Sequence, residues 1–392
     1  ISLLNPFTPA QLFFGSALLF LTLEVTRRTT GLGLTGVVVL FLLYNQFGSY
    51  LPPPFGHGIS EYTYLLDILV FTTDGVFGVP IQVVASYVFL FVMFGTFFSD
   101  VVATGSITIP VMKRLGYSAR FAGAVEVAAS TGGSAMPPIM GSAAFILAEY
   151  TTVPYKEVVL AALFPALLYY LGVFLQVHFR AVKEDLRPSD GEIPTAAETF
   201  GTGWVFLIPI FGIVAALVAG YSPTFTAGVG VLAAVIASGL LKATRLSPWQ
   251  IVEGLGETTL RILPVAGACA AAGLVIGGLS MTGLGMKSAN VILTVSGGQA
   301  ALTLIIAAIV TIILGLGMPT PSAYILAAVL VGPALAKLGY PILQSHMFLL
   351  YYAIMSALTP PIAVAALAAA AIADTDPFKI AFSAVRLAAI GF

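Results

Sequence analysis

Pro110-Val-Met-Lys-Arg-Leu-Gly-Tyr117 and Pro333-Ala-Leu-Ala-Lys-Leu-Gly-Tyr340 are one phrase written twice, at an offset of 223 (110 to 333). The same ungapped register sets Pro137-Pro138-Ile139 on Pro360-Pro361-Ile362, Pro154-Tyr155-Lys156 on Pro377-Phe378-Lys379, and Ser99 on Ser322. A shared Leu-Gly-Tyr alone is within reach of chance. One register that holds from 99 to 156 and lands on further proline sites is an internal repeat. The copies differ in charge: Lys113, Arg114 and Arg120 surround the first Leu-Gly-Tyr, whereas Lys337 stands alone at the second. By the positive-inside rule the first turn faces the cytoplasm and the second faces out. Inverted-topology repeats of this kind build secondary transporters, and helices broken at corresponding positions mark a binding site near the midplane. The frequency of Gly and Pro in membrane helices accounts for one kink, but not for paired breaks at one offset.

Composition sets the solvent. The 392 residues are 59% hydrophobic and 8% charged, against about 25% charged in soluble domains, so lipid must cover this chain. A net charge of −1 leaves no basic footprint for nucleic acid. The single cysteine, Cys269, lies in an apolar run and supports neither a disulfide nor a metal cluster. The chain shows no signal peptide and starts at Ile1, so it reads as part of a longer protein.

Spans of about 20 apolar residues are predicted at 9–26, 32–49, 79–98, 156–180, 201–221, 224–241 and 263–281, with a last one starting near Phe378. Segments 118–150, 299–337 and 342–374 are apolar but broken by Gly and Pro. Ser247–Arg261 and Lys287–Gln299 mix charge with apolar residues, as interfacial helices do. Arg27, Arg28, Arg180, Lys183, Arg187, Lys242 and Arg245 mark the cytoplasmic loops. The fold class expected is all-α: polytopic transmembrane helices with inverted repeats, re-entrant hairpins and broken helices. Its parts are scaffold spans 1–78, a first repeat 79–181, a cytoplasmic linker 182–200, scaffold spans and an interfacial arm 201–262, and a second repeat 263–392.

The second repeat reads as a re-entrant hairpin: 299–314 enter, Gly315–Pro321 form the tip, and 322–337 return. The first copy holds only the returning arm, Ser99–Arg114, and before Ser99 the register fails. Setting Gly95 on Gly278 gives an offset of 183 instead of 223, so roughly 40 residues are expected to be absent between Phe98 and Ser99, with a chain break there.

Two kinds of backbone break carry the chemistry. The hairpin tips are Ser99-Asp100 and Gly315–Ser322; the interrupted helices are Ser130–Pro138 and Ser356–Pro361. Proline removes an amide donor and frees the carbonyl of the preceding turn. Unwound backbone at this depth survives only where it lines a cavity or is buried in protein. Freed carbonyls with Ser and Thr hydroxyls suit a small cation, and helix N-termini suit a carboxylate. The modules 99–150 and 315–374 are therefore expected to share one midplane cavity. Asp100 either faces that cavity or caps a helix. Glu126, in Ala122-Gly-Ala-Val-Glu-Val-Ala-Ala-Ser130, is a carboxylate inside a membrane segment and a functional candidate by default; it either carries a proton or pairs with Arg114 or Arg120. Asp67 and His346 are expected to pack, and Glu149 to be solvated. His-Glu-x-x-His, Gly-x-Ser-x-Gly and Walker-type loops are absent and His57, His178 and His346 are scattered, so an intramembrane enzyme and ATP-driven transport both lack their motifs.

The stretches TGSITIPVMKRLGY (104–117), FAGAVEVAASTGGSAMPPIMGSAAFILAE (121–149), LGLGMPTPSAYIL (314–326) and HMFLLYYAIMSALTPPIAVA (346–365) resemble the fused permeases of TRAP transporters, in their TAXI branch. The resemblance covers nearly the whole chain. It implies uptake of a small organic acid, delivered by a periplasmic binding protein to an elevator-type permease of the inner membrane. A small membrane subunit, fused or separate, completes the system, and the driving ion is Na+ or H+; no other cofactor is implied. Carried onto this sequence, substrate and ion sites fall at Ser99, Asp100, Ser130, Thr131, Gly132, Gly133, Ser134, Met136 and Pro137, and at Gly315, Gly317, Met318, Pro319, Thr320, Ser322, Ser356, Thr359 and Pro360. Ser99, Gly133, Ser134, Gly317 and Thr359 are the positions expected to hold Na+, and Glu126 is the proton-coupling candidate. The family pattern has an entering hairpin helix where this chain passes from Phe98 to Ser99. A stand-alone cation-coupled carboxylate symporter is the alternative within transport.

Overall fold

The structure is a computed structural model that describes residues 6–101, 105–186, 204–240 and 245–392. Among the described residues it is helical and has no strand. In chain order the helices are α1 Pro9–Thr30, α2 Leu32–Phe47, α3 Tyr62–Leu66, α4 Val79–Val83, α5 Phe89–Val101, α6 Gly105–Arg114, α7 Ala119–Gly133, α8 Ser142–Thr151, α9 Tyr155–Lys183, α10 Leu207–Val218, α11 Pro223–Ser238, α12 Pro248–Thr282, α13 Leu284–Val295, α14 Ala300–Gly315, α15 Thr320–Leu330, α16 Gly332–Lys337, α17 Ile342–Ser356, α18 Val364–Ala373 and α19 Pro377–Leu387. Pro9–Thr30, Leu32–Tyr50, Val79–Phe97, Tyr155–Lys183 and Pro248–Thr282 are each long and apolar enough to cross a bilayer. The protein is an all-α polytopic membrane protein.

Local chemistry sets the helix ends. Thr8 and Gln11 close a capping box at the start of α1: Gln11 N donates to Thr8 Oγ1 at 3.3 Å and Thr8 N donates to Gln11 Oε1 at 2.9 Å. Pro223 and Pro377 open α11 and α19, where a missing amide proton costs nothing. Asp376 accepts from the amides of Phe378 and Lys379 at 2.7 and 3.2 Å.

The repeat read from sequence is present in the backbone. Helices α7 and α17 start and stop at equivalent residues under the 223 offset, at 119 and 342 and at 133 and 356. Each Leu-Gly-Tyr closes the preceding helix in the same way. Gly116 and Gly339 take φ of 97° and 83°. Tyr117 N donates to Met112 O at 3.1 Å and Tyr340 N to Leu335 O at 3.3 Å. Gly116 N donates to Lys113 O at 3.1 Å and Gly339 N to Ala336 O at 3.0 Å. Both sites are Schellman closures, which need a glycine in the left-handed region and favour an apolar residue after it. The breaks match as well: Met140 (φ 55°) and Ala363 (φ 43°) are both left-handed, and both Pro–Pro bonds are cis.

At 1.5 Å per residue, α7 and α17 (15 residues each) span about 22 Å, and α8 and α18 (10 each) span about 15 Å. No single arm is long enough to cross a hydrocarbon core of about 30 Å.

Helix α5 runs from Phe89 through Phe98 and Ser99 to Val101, a stretch with no proline. One expectation is corrected: the 247–261 segment is not a separate interfacial helix. It is the first part of α12, 35 residues with Pro264 inside. At about 52 Å, α12 exceeds the hydrocarbon core and carries its charged end beyond it. Most of the polar linker at 182–200 lies outside the described residues.

The chain forms two compact units, each assembled from distant segments. One comprises Ile1–Ala85, Ser142–Val153 and Leu263–Ala357; the other comprises Ser86–Gly141, Pro154–Ile262 and Leu358–Phe392. In the first unit the hairpin α14–α15 packs on α17 and α8, and α1, α2 and α3 pack together. Its interior is tight. The backbone carbonyl of Gly75 abuts Gly273, and Asn45, fully buried, abuts Gly278. Asp67 is buried, on a π-helical turn over Asp67–Phe71. His346 is also buried and shares a 2.8 Å hydrogen bond with Tyr324 Oη. In the second unit α7 is central and touches α6, α9, α18 and α19. The side chain of Ile380 fills the space over Gly123.

Candidate functional site

Within the first unit, the hairpin tip and the end of α17 meet. Gly315 ends α14 flush against Ser356, the last residue of α17, and a Cβ at Gly315 would collide with the Ser356 hydroxyl and lie 3.2 Å from the Ala323 Cβ. Gly317 turns the tip with φ 73°, and Met318 N donates to Gly315 O at 3.2 Å. Pro319 caps α15, which begins at Thr320. The hydroxyls of Ser322 and Ser356 are turned into the protein. Ser322 Oγ donates to Ala268 O at 3.0 Å and Ser356 Oγ to Ala353 O at 2.7 Å, and both residues are buried. Buried hydroxyls with backbone acceptors hold the tip to α12 and shape α17. The half-buried tip residues Gly317, Pro319 and Thr320 present backbone rather than these hydroxyls. The N-termini of α8 and α15 carry partial positive charge and the C-terminus of α17 partial negative charge, so this unit offers donors for a carboxylate and acceptors for a cation.

Within the second unit, α7 unwinds after Gly133. Ser134 N returns to Thr131 O at 3.1 Å, Ala135 N to Gly132 O at 2.9 Å, and Gly141 N to Ser134 O at 2.9 Å. Tyrosines occupy further carbonyls. Tyr169 Oη donates to Ala128 O at 2.8 Å and Tyr170 Oη to Ala129 O at 2.7 Å. Tyr155 Oη donates to Pro138 O at 3.1 Å and to Ile139 O at 2.9 Å. Ser130 Oγ bonds Val127 O at 3.3 Å, and Thr131 is buried. Gly133 is exposed, and Ser134, Met136 and Pro137 are half-buried along the break. Gly132 packs under the Tyr169 ring; a Cβ there would lie 2.9 Å from Tyr169 Cδ1 and 3.2 Å from Tyr170 Cζ. Gly132→Val is expected to lower stability by about 1–3 kcal/mol, the cost of overpacking against rings pinned by their hydroxyls. Thermal unfolding of the purified protein checks it, and an unchanged midpoint would contradict this packing.

The second break differs in its carbonyl caps. Phe378 stands where the repeat register sets Tyr155, and it has no hydroxyl. Among the described residues, the carbonyls of Pro361 and Ile362 have no such cap, and these residues line, with Phe378, a cavity of about 320 Å³. Thr359 and Pro360 lead into this break half-buried.

Glu126 sits in the middle of α7, half-buried, and accepts a hydrogen bond of 2.5 Å from Thr108 Oγ1 on α6. It pairs with neither Arg114 nor Arg120; Arg120 Nε bonds Ser383 Oγ at 2.5 Å instead. The side chains of Ser99 and Asp100 lie outside the described residues. Among the described residues no cluster of His, Cys, Asp and Glu is arranged to hold a metal ion, so a cation would rely on backbone carbonyls and hydroxyls. The carbonyl-capping tyrosines and Thr108 are the residues the sequence reading missed. The signal was in the repeat: Pro154-Tyr155-Lys156 and Pro377-Phe378-Lys379 match everywhere except at the residue that matters.

The chain matches the family described as "Tripartite ATP-independent periplasmic transporter, DctM component" over residues 75–392. No curated protein matches it.

Proposed function

This chain belongs to the DctM family of tripartite ATP-independent periplasmic transporters, and on that footing we propose that it is the ion-driven permease that imports a small organic acid across the inner membrane. The family is one of transporters, and membership implies work alongside a periplasmic binding protein and a small membrane subunit. We further assign it to the TAXI branch, on the motif stretches at 104–117, 121–149, 314–326 and 346–365.

One observation supports the site: two helix breaks at the 223 offset, with matching bounds, matching left-handed residues and arms too short to cross alone. In this reading the substrate carboxylate is held by amides at the N-termini of the half-helices, with no lysine or arginine required. The coupling ion is Na+ on carbonyls and hydroxyls at the breaks within each unit, near Gly317 in the first and near Gly133, Ser134 and Thr359 in the second, or H+ on Glu126. Differential affinity for the loaded and unloaded states then ties ion movement to substrate movement. The family's tripartite design weighs against a stand-alone symporter.

Ser134→Ala and Thr359→Ala are expected to weaken ion-dependent uptake about tenfold if each hydroxyl contributes one hydrogen bond or ligand of roughly 1.5 kcal/mol to the ion-loaded state, with folding little changed. The assay is uptake into proteoliposomes with purified binding protein, with the melting temperature measured in parallel. Wild-type ion dependence in both folded variants removes the cation from these positions.

A further inference from the structure

We infer that the second unit carries a binding site for the phosphate group of an anionic phospholipid, between the start of α7 and the ends of α9 and α19. A cavity of about 540 Å³ opens there, lined by Arg120, Arg180, Lys183 and Arg386 and, among the described residues, by no carboxylate. These four cations come from three helices, so the charge is gathered by the fold and not by one basic run. Two of them are already held in place. Arg120 Nε donates to Ser383 Oγ at 2.5 Å. Arg180 lies 5.4 Å over the Phe121 ring and pairs with Glu184, which offsets part of one charge. Its Nε is nevertheless buried without an acceptor, an unmet donor in the wall of the cavity. Lys183 and Arg386 have no ion-pair partner among the described residues, and both are exposed. Gln176 closes the inner wall by donating to Leu387 O at 2.7 Å.

The surroundings favour a lipid over a soluble phosphate. Phe179 lines the cavity and is 64% exposed, and Phe164, Leu171 and Phe174 continue an exposed apolar stripe along the membrane-spanning α9. A headgroup in the basic cavity would therefore lay its acyl chains on this stripe. The basic last turn of α9 faces the cytoplasm by the positive-inside rule, on the leaflet rich in anionic lipid. Bound there, the phosphate bridges α9 to α7 and α19, which belong to different repeats.

Native mass spectrometry of the delipidated, detergent-solubilised full chain, titrated with phosphatidylglycerol, cardiolipin or phosphatidylcholine, tests this. The anionic lipids are expected to bind about tenfold tighter than phosphatidylcholine. The double variant Lys183→Gln/Arg386→Gln is expected to lose that preference, since each cation near a headgroup contributes several-fold. Lys183→Arg/Arg386→Lys, which keeps both charges, is expected to retain it, and Arg28→Gln on α1 is expected to leave it unchanged. Equal binding of all three lipids by the wild type, or an unaltered preference in the Gln variant, overturns the proposal. Displacement of the lipid by millimolar inorganic phosphate overturns its lipid assignment. A shared melting temperature across the variants separates loss of binding from loss of fold.

Discussion

If Glu126 is the proton carrier, Glu126→Gln is expected to cut uptake driven by a pH gradient by about tenfold or more, while exchange of substrate across the membrane continues; an ionisable residue inside a membrane segment is a functional candidate by default. The residue is half-buried in the middle of α7, and its contact is a hydroxyl, Thr108 Oγ1 at 2.5 Å, rather than a cation. Arg120, the nearest candidate in sequence for a structural ion pair, is engaged with Ser383. Among the described residues Glu126 has no ion-pair partner. Glutamine keeps the shape and can still accept from Thr108, so the fold is expected to survive. In that role, exchange requires only movement of the loaded site, whereas net uptake driven by a pH gradient requires the proton. Full pH-gradient-driven uptake by Glu126→Gln would sink this role and leave Glu126 as a partner that positions α6 on α7.

Tyr155→Phe and Phe378→Tyr form the second large-effect pair, because they exchange the residue that supplies a carbonyl-capping hydroxyl at one break and not at the other. Tyr155 is buried, and its hydroxyl serves Pro138 O and Ile139 O together. Removing it leaves two carbonyls of the non-helical stretch between α7 and α8 without their side-chain donor, at a cost of about 1–3 kcal/mol. A lowered melting temperature is the expected readout, and an unchanged one contradicts the capping role. Phe378→Tyr does the reverse. It brings a hydroxyl into the cavity of about 320 Å³ shared with Pro361 and Ile362, whose carbonyls are uncapped among the described residues. If those carbonyls serve the transported ion, the added hydroxyl competes for them and ion-dependent uptake weakens several-fold. Unchanged ion dependence in a folded Phe378→Tyr protein assigns these carbonyls no part in coupling.

Much of the fold was legible in the sequence because its main device is a repeat. The Leu-Gly-Tyr pair fixed two Schellman closures, and the Pro-Pro-Ile pair fixed two breaks, since Gly and Pro act on the backbone directly and leave the same mark wherever they recur. The spans at 9–26, 32–49 and 156–180 followed from apolar length alone. The merging of 247–261 into α12 was not legible, because an amphipathic charged segment reads alike whether it lies in the headgroups or prolongs a spanning helix past them. At the candidate site, the break positions were readable and the hydrogen-bond partners of the hydroxyls were not. Ser322 and Ser356 are ligand candidates in the sequence, and the fold adds the acceptors of their protons, Ala268 O and Ala353 O. Tyr169 and Tyr170 look like span residues, yet they hold the carbonyls of α7. Which acceptor a hydroxyl finds is set by tertiary packing, beyond the reach of local pattern.

The central claim is that the paired breaks serve a gradient-driven, binding-protein-dependent uptake. Its most direct test is uptake of radiolabelled organic acids into proteoliposomes holding the permease with its small subunit, with purified binding protein outside, and with Na+ and pH gradients imposed separately. The account predicts accumulation that requires the binding protein, follows one of the two gradients, collapses when that gradient is dissipated, and needs no ATP. Accumulation that is indifferent to both gradients, or that proceeds equally well without the binding protein, would contradict it.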